Sequence, residues 1–488
     1  MGIKRYTAEA DNTITNAYKP NLRSRATGSN MGLSDSVEVF HVYGQQDSGS
    51  SELSRVLIQF PMTQITTDRT NGVLPASGNV SFHLRMFNAK HPFTLPREYN
   101  MIISTVSRAW DEGTGLDMED YSNSGSSNWT TATSASSGIT AWTTAGGDYH
   151  AEPRFTASFE DGTEDIEVDV SDAVERWLAG SRDNYGFGVR LEVETALSSS
   201  YTKKFFARGT EFFFRRPVIE ARWDSSKRDD RGNFYFSSSL ATSEDNLNTL
   251  YLYNHIRGRL RDIPDVGTGS IHVSIYSGSA DNSEPTGSRI VKVVDGVHVI
   301  TDNPYVVTGG HVSTGIYSAS FALTAAANPL TTAFDVWHSG TTQFATSSFS
   351  PKKLESLAYN PYSRYVINIT NLRDRYYRNE TAQFRLYTRN KDWQPTIYVK
   401  ASAVPENNLV ESGSYKVVRI VDNLDVISFG TGSDNHTQLS YDVSGSYFDL
   451  DIDMLEAGYS YGIKFAFYDD GAQSWNEYPD IFKFRVEE

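Results

Sequence analysis

The stretch Asp165 to Val193, DIEVDVSDAVERWLAGSRDNYGFGVRLEV, leaves the chain little freedom in how it folds. Ile166, Val168 and Val170 alternate with Glu167 and Asp169, and Tyr185, Phe187, Val189, Leu191 and Val193 alternate likewise. Period two is the mark of a half-buried strand, so a strand lies on each side. Between them Val170, Ala173, Val174, Trp177 and Leu178 recur at helical spacing, with Asp169 or Ser171 placed to cap the start and Gly180 placed to end the helix. A short amphipathic helix between two strands must bury its apolar stripe against the sheets it joins. It is expected to plug the open end of a β-sandwich, with Trp177 and Tyr185 in the core.

The same alternation recurs in Leu53 to Phe60, Val80 to Phe87 and Asn100 to Val106, and an aromatic content of 13% favours sheets. The fold class expected is all-β, as tandem β-sandwich domains in 488 residues. Residues 1–225 form a jelly-roll-like sandwich with one short capping helix, 226–355 a middle β domain, and 356–488 an immunoglobulin-like sandwich. The charged stretch Asp224 to Asn233 marks the first break and Ser350 to Arg364 the second. Seven strand-like runs follow Tyr365, as an immunoglobulin-like sandwich requires. Leu455, Gly458 and Tyr461 have the spacing of a tyrosine corner, in which the hydroxyl bonds back to the backbone. Residues 122–147 are a Ser/Thr/Gly-rich excursion carrying Trp129 and Trp142, too long for a hairpin.

Charge and composition exclude several functions. A net charge of -16 opposes wrapping nucleic acid, which needs clustered cations. Two local basic runs, Lys227, Arg228 and Arg231, and Arg257, Arg259 and Arg261, each lie near an Asp and read as solvated faces. Without cysteine there is no disulfide, thiolate metal site or thiol nucleophile. No run of 18 apolar residues occurs and no apolar leader follows Lys4 and Arg5, so a cytoplasmically folded protein without membrane insertion is expected.

Six ordered motifs carry a family resemblance: ADNTITNAY (10–18), SELSRVLIQFPMTQI (51–65), VSRAWDEGTG (106–115), WTTAGGDY (142–149), DVSDAVERWLAGSRDNYGFGV (169–189) and RRPVIEARW (215–223). In order and spacing they resemble the DNRLRE family of β-sandwich domains, whose members are similar to carbohydrate-binding jelly rolls. Those domains sit mostly in secreted or surface proteins, and the missing leader departs from that setting. The whole chain, including FRLYTRNKDW (384–393) and SYDVSGSYFDLDID (440–453), also resembles structural proteins of tailed-phage virions. This resemblance implies a non-enzymatic capsid decoration, neck, collar or tail-associated protein, made in the host cytoplasm and located in the virion. Its partners would be capsid, neck or tail proteins and further copies of itself. The alternative it leaves open is a protein that binds carbohydrate or a host receptor, with a host glycan as ligand.

Candidate binding residues follow from the excursion. Trp129, Trp142 and Tyr149, beside Tyr121, would stack on sugar rings if exposed; the competing reading, which an otherwise polar loop favours, has them pinning it to the sandwich. Trp393 and Trp475 are expected in the core of the last domain. Asp111, Glu112, Asp117, Glu119 and Asp120 are rich in carboxylates but lack the ligand spacing of a calcium loop, and Asp449, Asp451 and Asp453 read as a solvated strand edge, so no metal site is assigned. There is no GxSxG, HExxH, P-loop or GxGxxG following a strand, so no catalytic residue and no cofactor is assigned.

Overall fold

The structure, a computed structural model, describes residues 2–91, 97–116, 126–135, 138–195, 201–277, 292–293, 306–323, 330–354, 364–391 and 407–488. It is all-β, with several sheets and two α-helices among the described residues. Packing divides the chain into two compact units, one of Gly2–Asp224 with Asp434–His436, the other chiefly Ser225–Ser433 and Thr437–Glu488.

In the first unit two sheets face each other. Strands β1 (Ile3–Thr7), β2 (Ala10–Thr15), β3 (Ser36–Tyr43) and β4 (Ser51–Gln59) precede helix α1 (Met62–Thr70). Then come β5 (Ser81–Met86), β6 (Tyr99–Val106), the small hairpin β7 (Thr131–Ala135) and β8 (Gly138–Ala141), and β9 (Tyr149–Phe159). Strand β10 (Ile166–Asp169), helix α2 (Ser171–Leu178), β11 (Phe187–Leu191), β12 (Tyr201–Phe206) and β13 (Val218–Arg222) complete the unit. The smaller sheet runs β1-β13-β5-β10 and the larger β12-β3-β4-β11-β6-β9, with β2 also paired to β4. Alternation decides which side chains enter the core: Phe82, Leu84 and Met86 from β5 meet Val56 and Ile58 from β4 and Phe187 and Val189 from β11.

Helix α2 carries the chain from one sheet to the other, because β10 pairs with β5 while β11 pairs with β4 and β6. Val170, Ala173, Val174 and Trp177 are buried in the core, and the Trp177 ring lies 4.9 Å from Phe187. Asp169 Oδ1 accepts the Ser171 N–H at the helix start (2.8 Å), whereas Ser171 Oγ accepts the Phe82 N–H of β5 (2.8 Å) and caps no N–H of the helix. The position immediately before the helix belongs to Val170, whose side chain goes to the core. At the other end Gly180 takes φ +67°, with Gly180 N–H donated to Trp177 O and Ser181 N–H to Arg176 O, the paired bonds of a Schellman motif.

Helix α1 has no counterpart in the sequence reading. Its sequence, MTQITTDRT, buries only Ile65, so no apolar stripe announces it. Tertiary contacts hold it: Arg69 pairs with Glu175 of α2 (2.6 Å), and Asp68 accepts from Tyr6 Oη (2.8 Å) and pairs with Lys4 (2.8 Å). On the outer side of the smaller sheet, the buried Glu220 is bonded by Arg5 (2.6 Å), Arg85 (3.2 Å) and Arg222 (2.8 Å). Burial opposes ionisation of Glu220, but the three guanidinium groups prevail and hold its carboxyl well below the usual range.

In the second unit, strands Asn248–Tyr253, Ile316–Leu323, Val307–Ser313, Ile271–Ser277, Ala333–Ser339 and Thr342–Phe349 lie side by side in that order. The glycine-rich VTGGHVSTG segment (307–315) is thus mostly strand, turning only near Gly315 (φ +71°). Arg231 departs from the expected solvated face: it forks onto Asp335 (2.6 and 2.8 Å), which is fully buried and also accepts from Trp337 Nε1 (2.7 Å). A carboxylate in that core requires a cation, and the charged stretch supplies it. Arg257, Arg259 and Arg261 are exposed, as expected.

The C-terminal residues form two further sheets. One joins Tyr365–Ile369, Thr381–Asn390, Gly445–Asp451 and Ser440–Asp442; the other joins Arg375–Tyr377, Phe482–Glu487, Ser460–Asp469, Gly413–Arg419 and Leu424–Ile427. The tyrosine corner is present: Tyr461 Oη donates to Glu456 O (2.8 Å), Leu455 is buried and Gly458 has φ +89°. Trp475 is a correction, since it is half-exposed on the strand Ser474–Glu477 and packs edge-on against Tyr468 rather than in the core. Trp393 lies outside the described residues.

Replacing Trp177 by Ala is expected to lower the stability of the first unit by about 3–5 kcal/mol in denaturant melts; an unchanged midpoint would show that the helix does not close the core. A carboxyl depressed on folding stabilises above its unfolded value of about 4.3, and this contribution fades as the pH falls through the folded value. Glu220→Gln should therefore melt lower than the parent at pH 7 and lose less of its melting temperature between about pH 5 and pH 3. Parallel pH profiles would contradict the ionised cluster.

Candidate functional site

The outer face of the larger sheet is the part of the first unit where residues gather for recognition. On β4, Val56 and Ile58 point inward, so Leu53, Arg55 and Leu57 point out. That face is covered by the segment leading from β6 to β9, and a second apolar cluster forms there from Ile14, Leu57, Val106, Trp110, Trp129 and Trp142. Trp110 Nε1 donates to Tyr185 O (2.9 Å) and Trp142 Nε1 to Asn128 O (2.8 Å), so each indole enters the cluster with its polar edge satisfied.

Arg55 organises the rim of this cluster. Its guanidinium forks onto Glu194 (2.8 and 2.6 Å), donates to Gly146 O (2.9 Å), and lies 5.2 Å from the Trp129 ring and 5.8 Å from that of Tyr149. Gly146 and Gly147 have φ +92° and +106°, so the chain turns sharply there, and Tyr149 Oη also donates to Gly146 O (2.8 Å). The Tyr149 ring rests against β11 where Gly188 stands. A Cβ at that position would meet Tyr149 Cε1 at 2.0 Å, so the strand has to carry glycine there.

Beside this turn opens a cleft of about 600 Å³, lined by Arg55, Arg108, Arg190, Asp148, Tyr149 and Thr143 among others. Burial opposes ionisation of Asp148. The N–H groups of Thr143 and Thr144 (2.9 Å each) and Arg108 Nε (2.8 Å) outweigh it and hold the carboxyl below the usual range. Burial pushes the Tyr149 phenol up to about 12, so it remains a neutral hydrogen-bonding group at physiological pH. The cleft's own carboxylate thus anchors the loop, and Glu194 beside it anchors Arg55.

Of the residues read from sequence as sugar-binding, Tyr149 lines the cleft, half-buried. Trp129 and Trp142 do not present faces to solvent: they are 7% and 6% exposed, because the polar loop needs apolar anchors to lie on the sheet. Arg108 and Arg190 were not singled out in the sequence, and Arg55 was noted only as part of a core-strand motif. The signal for Arg55 and Arg190 was available, since each occupies an outward position in an alternating strand.

The acidic turn after Trp110 is also structural. Glu112 is ion-paired with Arg208 and accepts the Asp11 N–H (2.9 Å). Burial pushes the neighbouring Asp11 carboxyl up to about 7. Asp117, Glu119, Asp120 and Tyr121 lie outside the described residues, and among the described ones no group of three or more His, Asp or Glu is arranged to hold a metal. Among the C-terminal residues Asp449 accepts from Gln383 (3.3 Å), whereas Asp453 has left the strand for a short 3-10 turn and pairs with Arg378 (3.0 Å).

No protein-family model matches the sequence, and no curated protein matches it. Among solved structures, dimeric latent PorU from Porphyromonas gingivalis aligns with 93% of this chain at 11% identity and a TM-score of 0.15. The chain spans 34% of that structure's length. A similarity at this level carries neither fold nor function.

Lysine cannot reproduce the planar fork that holds Glu194 and Gly146 O together. Arg55→Lys should therefore speed amide hydrogen exchange from Thr143 to Tyr149 at least tenfold while leaving β5 and β11 protected. Unchanged exchange in the loop would show that the fork does not hold it.

Proposed function

We propose that the chain is a non-enzymatic structural component of a tailed-phage virion, a capsid-decoration, neck, collar or tail-associated protein that works through protein-protein assembly. Its partners in this reading are capsid, neck or tail proteins and other copies of the chain. The observation that supports it is the run of successive β modules in one chain, together with the whole-chain resemblance of the sequence to virion proteins. Modules of paired sheets provide rigid surfaces and strand edges for assembly without any chemistry of their own. No described helix is long and apolar enough to cross a membrane.

A second reading, carbohydrate or host-receptor binding, is favoured by one feature: the cleft beside Tyr149, set on the module that resembles carbohydrate-binding jelly rolls. The readings are compatible, because a virion module can carry a ligand site. Mass spectrometry and cryo-EM of purified particles test the first, with the chain expected at a fixed copy number. Its absence from particles would overturn that assignment. Host glycans retained by the purified protein are the readout for the second, and a blank screen removes it.

A further inference from the structure

The hydrogen-bonding groups left unoccupied in the cleft define what it can bind. Its carboxylates and the Gly146 carbonyl are already engaged: Asp148 takes three donors, Glu194 is forked by Arg55, and Gly146 O accepts from both Arg55 and Tyr149. The donors are not. Arg108 uses Nε on Asp148 and one terminal nitrogen on Thr143 Oγ1 (2.9 Å), leaving the other terminal nitrogen, and its side chain is 38% exposed. Arg190 has no carboxylate partner among the described residues, and one terminal nitrogen reaches only the Leu191 carbonyl at 3.3 Å. Its remaining N–H groups belong to a half-buried side chain that lines the cleft close enough to Tyr149 for its charge to act on the phenol.

Three arginines against two carboxylates leave one positive charge, on Arg190, in a chain whose net charge is -16. A half-buried guanidinium without a counter-ion is free to receive an oxyanion, and its planar fork matches a carboxylate or sulfate in two parallel hydrogen bonds. The half-exposed Tyr149 and the Thr143 hydroxyl beside it suit the ring and hydroxyls of a sugar. The remaining charge of the chain disfavours a long polyanion, whose many phosphates would meet a mostly acidic surface.

Resting on the second reading above, we propose that the cleft is an anionic-saccharide site, in which Arg190, assisted by the free nitrogen of Arg108, receives the carboxylate or sulfate of an acidic sugar residue while Tyr149 contacts its ring.

Titration of the full chain with matched oligosaccharides tests this: galacturonic acid against galactose oligomers of equal length, and sulfated against unsulfated galactan oligomers. The acidic member of at least one pair should bind at least tenfold more tightly and weaken with added salt, and which pair does so tells carboxylate from sulfate. Arg190→Gln should abolish that preference without shifting the melting temperature, and Arg190→Lys should retain part of it. Lys19→Gln, in a separate cleft of about 540 Å³ on the same unit, should leave it intact. Equal binding of acidic and neutral oligomers would overturn the proposal while leaving the glycan reading in place; no binding of any oligomer would overturn both. Acidic binding that survives Arg190→Gln overturns the assignment of the site. Equally strong competition by inorganic polyphosphate would show a general anion sink instead of a saccharide site.

Discussion

A guanidinium on the outward face of a core strand has to find partners, and the way Arg55 finds them shapes the whole outer side of the first sandwich. Left bare on an apolar sheet it would oppose folding, so the structure meets it with the Glu194 carboxylate and the Gly146 carbonyl, and with aromatic faces from Trp129 and Tyr149. Fixing that carbonyl fixes the Gly146–Gly147 turn. The turn in turn sets Asp148 toward Arg108 and Tyr149 onto Gly188, and the cleft is what remains open between them. One half-buried charge thus links a core strand, a polar excursion and the cleft beside Tyr149.

The same principle, that a buried charge recruits its counter-charge, recurs at Glu220 among three arginines and at Asp335 with Arg231. In each case a residue that reads as surface in the sequence is internal in the fold. Pairing makes such burial tolerable, and it also ties together segments far apart in the chain. Arg231 illustrates the limit of reading charge locally. Its neighbours in sequence are polar, yet its partner lies more than a hundred residues away.

Where side-chain periodicity was strong, structure was legible. The alternating runs became strands, α2 formed between β10 and β11 with Asp169 at its start and Gly180 at its end, and the offset from Gly458 to Tyr461 was enough to identify a tyrosine corner. Helix α1 was not legible, because one buried isoleucine makes no stripe and its ion pairs come from elsewhere. The candidate site was legible in part. Tyr149 was named from sequence, but exposure of Trp129 and Trp142 depends on how the excursion lies, and an aromatic that anchors a loop has the same local sequence as one that greets a ligand. Trp475 shows the reverse case, an aromatic assigned to the core that stands half-exposed on a hairpin.

By itself the sequence determined the all-β class, the inward and outward faces of its clear strands, and the plug at Asp165 to Val193, because these follow from periodicity and from turn chemistry within a few residues. Only the tertiary structure decided that α2 hands the chain from one sheet to the other, that two tryptophans lie beneath the excursion, and that Arg190 reaches the cleft without a carboxylate partner among the described residues. Those outcomes depend on which distant groups are brought within hydrogen-bonding reach, about 3 Å, and no local pattern encodes that distance.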